Sequence, residues 1–391
     1  MRVILSVLFV FVLLSCNTSK TKKLDPKPYL QKKGLPDPLV FNNGSYVKSL
    51  EDWNKRRGEI LDLFRRECFG FNPVERPKDL SFKLLKKDEN ALGGKATRKE
   101  VQISFSGPGG KMSFRAIIFI PKSKKPVPAY LLMSHRRKKL IDIDTETKNP
   151  FWPVELIVKR GYAAVAFDGN LVDLDKHDEH KGGVHKIFDK KRNSASWGTI
   201  AAWAWGCSRV LDYLETDKQI DAKRVAVVGH SRGGKTALWA GATDERFAMT
   251  ISNNSGCSGA AMARRKKGES VKKILRFRHW FCRNYDKYAD KEDELPFDSH
   301  MLIALSAPRL VYVASATGDL WADPEGEFEG TVLASKVYEF LGEKGLSSKK
   351  YPQPNGSIQG GKVGYHLRKG KHSLNEFDWN KFMDFSDRHM K

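Results

Sequence analysis

Val225-Ala226-Val227-Val228-Gly229-His230-Ser231-Arg232-Gly233-Gly234-Lys235 is the stretch that decides how this chain folds. Four apolar residues run into a Gly-x-Ser-x-Gly, and the residues beyond it, Ala237, Ala240, Gly241 and Ala242, are small along one helical side. The order is strand, sharp turn, helix. Such a turn lifts the serine hydroxyl above the sheet edge, and small residues two before and two after it let strand and helix approach each other. A bare Gly-x-Ser-x-Gly recurs by chance, so the apolar strand before it and the small-faced helix after it carry the weight. The stretch predicts a nucleophilic Ser231.

Outward from this turn, apolar or alternating runs recur at residues 101–105, 114–120, 129–133, 162–167, 248–252 and 310–314, with a further strand-like run at 362–365. Several are continuously apolar, as parallel strands covered on both faces are. Helical patterns at 196–214 and 235–242 separate the later runs. An earlier helix begins near residue 50, with Trp53, Ile60, Leu61 and Phe64 at helical spacing. Strands alternating with helices argue an α/β class: a three-layer sandwich with a mostly parallel central sheet and helices on both faces. Polar connections at 145–152 and 168–192 are long for a compact domain and read as a rim. Residues 256–301 follow a strand, hold Arg264-Arg265-Lys266-Lys267 and then Phe277, His279, Trp280 and Phe281, and read as an insertion covering a cleft.

With 391 residues, 40% hydrophobic and 29% charged, the chain can bury a sizeable core, which excludes disorder, collagen-like repeats and a polytopic membrane protein. The net charge of +23 predicts attraction to polyanions. No helix-turn-helix, zinc-finger or aromatic RNA-binding signature accompanies it, so nucleic acid is not an expected partner. At the N-terminus, Arg2 precedes an apolar run of ~12 residues, too short to span a bilayer as a helix and suited to a signal peptide over residues 1–15. Leu13-Leu14-Ser15-Cys16 resembles a bacterial lipobox, which makes Cys16 a lipid anchor and the only expected membrane attachment. The expectation is an exported envelope lipoprotein, outer-membrane or periplasmic, with simple secretion as the alternative. Residues 16–45 then read as a tether and 46–391 as the folded domain. Cys68, Cys207, Cys257 and Cys282 form no Cys-x-x-Cys pattern, so no metal site is expected. In an oxidising compartment Cys257 with Cys282 is the favoured disulfide, against four buried thiols.

An activated serine needs a base, and the base needs a group that holds its tautomer. In α/β-hydrolases the chain order is Ser, acid, His. Of the histidines after Ser231, His279 and His300 precede the last long strand and His389 lies in the tail. His372, in a loop before an aromatic-rich helix, is the expected base, with His366 the alternative. The strand at 310–314 runs into Ser315-Ala316-Thr317-Gly318-Asp319-Leu320-Trp321-Ala322-Asp323, which makes Asp319 the expected acid and Asp323 the second choice.

With these residues in place the chain resembles the bacterial glucuronoyl esterases of carbohydrate esterase family fifteen. The resemblance rests on Gly229 to Lys235, Ala240-Gly241-Ala242 with Asp244-Glu245-Arg246, Ser255-Gly256, His279-Trp280-Phe281-Cys282, Trp321-Ala322-Asp323-Pro324, and Gly364-Tyr365-His366 through His372. It implies a serine esterase that needs no cofactor and cleaves esters of 4-O-methyl-glucuronic acid in a uronic-acid-containing polysaccharide. It further implies Ser231 as nucleophile, His372 as base, Arg232 in the oxyanion hole, and Lys235, Glu269 and Trp321 lining the uronate pocket. A carbohydrate deacetylase such as an acetyl-xylan esterase, or a noncatalytic polysaccharide-binding lipoprotein, are the competing readings; the working expectation for assembly is a monomer. Two departures stand out. Asn254 falls where many members of the family have a catalytic Glu, and as an amide it can donate to His372 but cannot supply the charge. Ser134-His135-Arg136-Arg137-Lys138-Lys139 is unusually basic for an oxyanion-hole loop, which suggests a preference for more anionic uronate polymers.

Overall fold

The computed structural model describes residues 24–135 and 149–391. The signal peptide, Cys16 and the basic residues Arg136 to Lys139 lie outside the described residues.

Ten strands form one sheet: β1 (Ser81–Ala91), β2 (Ala96–Gly107), β3 (Gly110–Pro121), β4 (Val127–Ser134), β5 (Ala163–Asp168), β6 (Ile220–His230), β7 (Met249–Asn253), β8 (Leu310–Ala316), β9 (Ser357–Ile358) and β10 (Val363–Arg368). Their spatial order is β1-β2-β3-β5-β4-β6-β7-β8-β10-β9. From β5 to β10 every neighbouring pair is parallel, while β1, β2 and β3 form an antiparallel flank that joins β5, and β9 pairs antiparallel with β10. Every apolar run read from the sequence falls on one of these strands, those at 162–167, 248–252 and 362–365 beginning one residue before it.

The helices are α1 (Pro26–Lys32), α2 (Leu50–Phe64), α3 (Val154–Lys159), α4 (Gly183–Phe188), α5 (Thr199–Leu214), α6 (Arg232–Thr243), α7 (Val271–Ile274), α8 (Ser299–Ala304), α9 (Pro324–Phe340) and α10 (Glu376–Ser386). Side chains alternate across the sheet, so each parallel strand feeds two cores. Leu131, Val165, Val227 and Val313 point to the face covered by α2, α5, α6, α8 and α9. Their neighbours Leu132, Ala166, Val228 and Ala314 point to the other face, where Ile157 of α3 and Trp379, Phe382 and Phe385 of α10 cover them. Burial on both faces is why these strands read as unbroken apolar runs.

Three expectations need correction. The edge strand β1 escaped the sequence reading because SFKLLKKDENA is almost wholly exposed and carries no buried alternation; its lysines protect an open edge. Residues 24–45, expected to belong to a tether, carry α1 and bury Leu30, Leu35 and Leu39, with Lys336 Nζ 2.5 Å from Asp37 and Tyr29 bonded to Glu329. Short apolar spacing among Lys and Pro concealed them. Finally, Cys257 and Cys282 form no disulfide: all four described cysteines are free and buried. Cys282 Sγ turns to the Arg66 carbonyl at 3.6 Å, and Cys257 Sγ lies 3.8 Å from Ser258 Oγ. No helix of the described residues is long and apolar enough to cross a membrane.

Two glycines give a paired test of this packing. A Cβ at Gly229 would stand 1.8 Å from the Gly233 carbonyl oxygen, whereas one at Gly58, inside α2, meets nothing within 4 Å. Gly229→Ala is expected to prevent folding or lower the melting temperature sharply, and Gly58→Ala to stabilise by ~0.5–1 kcal/mol through helix propensity alone. Thermal melts of the two variants check this; an unchanged melt for Gly229→Ala would contradict the described crossing of β6 and α6.

Candidate active site

Ser231 sits between the end of β6 and the start of α6 with φ 60° and ψ −127°. A non-glycine residue at positive φ is strained and persists only where its surroundings fix it. Here the Ser231 N–H donates to the Asn253 carbonyl at 2.8 Å, and the Ser231 carbonyl accepts from Gly234 N–H at 2.8 Å. The N–H groups of the first turn of α6 have no partner four residues back, so they point out of the helix end beside the serine. Arg232, the first residue of α6, supplies one of them.

Asp319 and His372 arrive from later strands. Asp319 lies on the loop leaving β8, and His372 between β10 and α10, with Nδ1 2.5 Å from Asp319 Oδ2. Asp319 is buried, and the His372 ring is about one-third open to solvent. The His372 ring centroid stands 4.4 Å from that of His230, the residue before Ser231. A carboxylate on Nδ1 holds the proton there and leaves Nε2 as the basic nitrogen.

Asn254 joins this pair through Asp319. At φ 48° its backbone N–H donates to the Ala314 carbonyl at 2.7 Å, and its Nδ2 donates to Asp319 Oδ2 at 2.7 Å rather than to His372. The amide therefore orients the Asp319 carboxylate. Of the alternatives, Asp323 is taken by Arg265 at 2.6 Å, at the start of α9. His366 is wholly buried, with Nε2 2.8 Å from Asp378 and Nδ1 3.2 Å from the Tyr312 hydroxyl.

Arg232 reaches over the site from the elbow. Its guanidinium pairs with Asp175 and lies 4.4 Å from the Trp280 ring and 5.1 Å from Phe277. Asp175 also accepts from Trp280 Nε1 at 2.8 Å and faces His279 Nε2 at 3.0 Å. Burial alone would raise the Asp175 pKa, yet the His279 hydrogen bond, the Arg232 charge and the Trp280 N–H together hold it well below the ordinary carboxylate value. Thus the 168–192 connection and the 256–301 insertion are joined through Asp175 and clamp Arg232. Asp175 was not singled out from the sequence, because an aspartate in a polar loop carries no local mark of its role.

Lys235, Glu269 and Trp321 are linked in a chain. Lys235 is buried, and its Nζ donates to the carbonyls of Ser255 and Cys257, the latter at 2.6 Å, and to Glu269 Oε2 at 2.8 Å. Glu269 Oε1 accepts from Trp321 Nε1 at 3.2 Å. All three ammonium protons of Lys235 are thereby engaged by the protein. Trp321 is 39% exposed, with Arg276 5.1 Å from its ring, and offers a flat face with a cation beside it.

Glu327, on the first turn of α9, was also missed, since an acidic residue there looks like an ordinary helix-start charge. It is fully buried beneath the site. Its Oε1 accepts from Ser255 N–H at 2.6 Å and Gly256 N–H at 3.1 Å, and its Oε2 lies 2.6 Å from Ser315 Oγ. Burial pushes its pKa up to about 8 against these hydrogen bonds, with the Asp319 charge adding to the rise.

A serine on a strained strand-to-helix turn, with acid and histidine delivered in that order from the ends of later parallel strands, defines an α/β-hydrolase. Comparison with known proteins narrows the class. The family profile described as "Glucuronyl esterase, fungi" matches residues 103–342. The chain is similar to "Carbohydrate esterase MZ0003" of an unknown prokaryotic organism, 42% identical over 94% of both chains. It is also similar to a 4-O-methyl-glucuronoyl methylesterase of Phanerochaete carnosa, 29% identical over 79% of this chain and 72% of that one. Among solved structures it resembles a glucuronoyl esterase from Solibacter usitatus with a TM-score of 0.85 and 39% identity, covering 91% of this chain and 98% of the other. The chain belongs to the glucuronoyl esterase family and is a carboxylic ester hydrolase.

The buried Glu327 makes a pH prediction. Its carboxyl titrates near its ordinary 4.5 when exposed by unfolding and near 8 in the fold, so between these values the folded protein keeps a proton that the unfolded chain has released. Stability therefore falls as pH rises through this window. Glu327→Gln, which keeps the shape without the charge, is expected to flatten the decline in melting temperature between about pH 5 and 8. Parallel slopes for the two proteins would show that Glu327 is ionised throughout.

Proposed function

We propose that Ser231, His372 and Asp319 cleave esters of glucuronic or 4-O-methyl-glucuronic acid in plant or algal polysaccharides. The observation that carries this reading is the 2.5 Å contact of Asp319 with His372 Nδ1 beside the strained Ser231 turn. His372 Nε2 takes the Ser231 proton as the hydroxyl oxygen attacks the ester carbonyl, and Asp319 stabilises the imidazolium that forms. The negative charge on the tetrahedral intermediate falls toward the Arg232 backbone N–H, fixed before the reaction and so without a reorganisation cost. Collapse expels the alcohol, which takes the proton from His372; water then enters by the same path and releases the free uronate. Trp321 supplies a flat face for the sugar ring, and Arg276 and Lys273 beside it suit an anionic glycan.

Ser231→Ala is expected to abolish turnover of benzyl glucuronate with the fold intact. Asp319→Asn is expected to lose up to ~10⁴ in kcat, the cost of a wrong histidine tautomer. Asp323→Asn, whose carboxylate pairs with Arg265, is expected to stay within a few-fold of the unmodified enzyme. Side-by-side kinetics on benzyl glucuronate, methyl galacturonate and acetylated xylan check both mechanism and substrate. Collapse of Asp323→Asn with Asp319→Asn intact would reverse the acid assignment, and acetate release as the dominant activity would assign a deacetylase.

We further propose that the enzyme is exported and anchored in the cell envelope through lipid on Cys16, a reading supported by the Leu13-Leu14-Ser15-Cys16 sequence. Cys16→Ser is expected to move the protein from the membrane fraction to the soluble fraction on immunoblots; an unchanged distribution would refute the anchor.

A further inference from the structure

Gly183, His180 and His185 sit in the 168–192 connection. Among the described residues, Asp173, His180 and His185 each offer one ligand atom, all within 4.8 Å of one another. Three points so spaced have a common centre at most ~2.8 Å away, so an inward movement of ~0.7 Å brings each to the ~2.1 Å length of zinc–nitrogen and zinc–oxygen bonds.

The surroundings prepare these groups for a cation. His185 is buried, and its Nε2 makes no hydrogen bond although it stands 3.3 Å from Asp173 Oδ2. Its other nitrogen, Nδ1, faces Asp189 Oδ2 at 3.1 Å. Arg192 Nη1, 3.0 Å from Nδ1, pairs with the same carboxylate, and Trp197 Nε1 fixes the second oxygen of Asp189 at 2.7 Å. A histidine whose far N–H is held by a carboxylate presents a basic, oriented lone pair, as metal-binding histidines do. Asp173 is buried and steadied by Thr199 Oγ1 at 2.6 Å.

The backbone is bent to make this meeting. Glu179 and His180 both take positive φ, 60° and 58°, and Gly183 at φ 52° passes so close that a Cβ there would lie 2.6 Å from Asp173 Oδ1. Two successive strained residues need something to hold them. The result sets the His180 ring 4.5 Å from that of His185, with His180 bordering a cleft of about 660 Å³ from which water can complete a fourth position.

We propose that Asp173, His180 and His185 bind one zinc ion, or a similar divalent transition metal, which braces the 168–192 connection. Two histidines and one carboxylate with an open fourth position form a donor set of the kind zinc takes. The brace lies two residues from Asp175, so it steadies the segment that clamps Arg232. Cysteine spacing could not show it, because the site contains none.

The test uses the folded, full-length protein, freed of metal by dialysis against a chelator, then given zinc chloride and passed through gel filtration. The expected result is about one zinc per chain by elemental analysis, with at most a tenth of that in His180→Ala and Asp173→Asn. Zinc is expected to raise the melting temperature of the unmodified protein only, since a ligand that binds the native state alone stabilises it. His180 is half-buried, so His180→Ala is expected to fold, and a cooperative thermal unfolding transition in the absence of zinc verifies that. Adding cobalt(II) instead is expected to give visible d–d bands that His180→Ala lacks. Zinc absent from the unmodified protein, or retained equally by both variants, would overturn the proposal.

Discussion

The crossing of β6 and α6 leaves no room for a side chain at Gly229, and the catalytic architecture depends on that closeness. The Gly233 carbonyl occupies the space where a Cβ at residue 229 would lie. The helix can start there only if Ser231 turns through positive φ. The same contact is repeated along α6, where a Cβ at Gly241 would meet Thr250 Oγ1 at 1.9 Å. With α6 pinned to β6 and β7, the C-terminal ends of the parallel strands share one edge. Ser231, Asn254, Asp319 and His372 all emerge from it.

Three polar links then fix what the sheet edge brings together. Asn254 and His372 hold the two sides of one Asp319 oxygen. Asp175 draws Arg232 against Trp280. Lys235 and Glu269 carry the loop of Trp321. Each link buries charge, which is costly in a medium of low dielectric unless the partner is close and well aligned. That cost is what makes them useful: a buried pair has few alternative geometries, so the groups facing the substrate stand in place before it arrives. The insertion at 256–301 participates in the second and third links, and so shapes the site as well as covering it.

The sequence was legible where one physical demand leaves a local mark. Strands buried on both faces must be continuously apolar, and the strand-turn-helix crossing leaves no room for a side chain at 229. The pairing of Asp319 with His372 was legible because chain order and loop position limit the choice. β1 was invisible because its exposed lysines satisfy an edge rather than a core. Asp175 and Glu327 were invisible because their partners are distant in the chain: Asp175 meets His279 and Trp280 across more than a hundred residues, and Glu327 meets Ser255 and Gly256 across about seventy. The Asn254 amide was noticed, but its partner could not be read. Whether it meets the acid or the histidine depends on the positive φ that residue 254 adopts at the end of β7. The disulfide expectation failed for a related reason: nearness of two cysteines to one insertion says nothing about where their sulfurs point.

The central claim is that one serine, activated by the His372–Asp319 pair, carries the acyl group. It is tested most directly by treating the enzyme with a fluorophosphonate and mapping the adduct by peptide mass spectrometry as ester turnover is lost. The account predicts a single phosphonyl group on Ser231, gained in proportion to lost activity. Inactivation by a label on any other residue, or full turnover of glucuronate esters with Ser231 blocked, would contradict it.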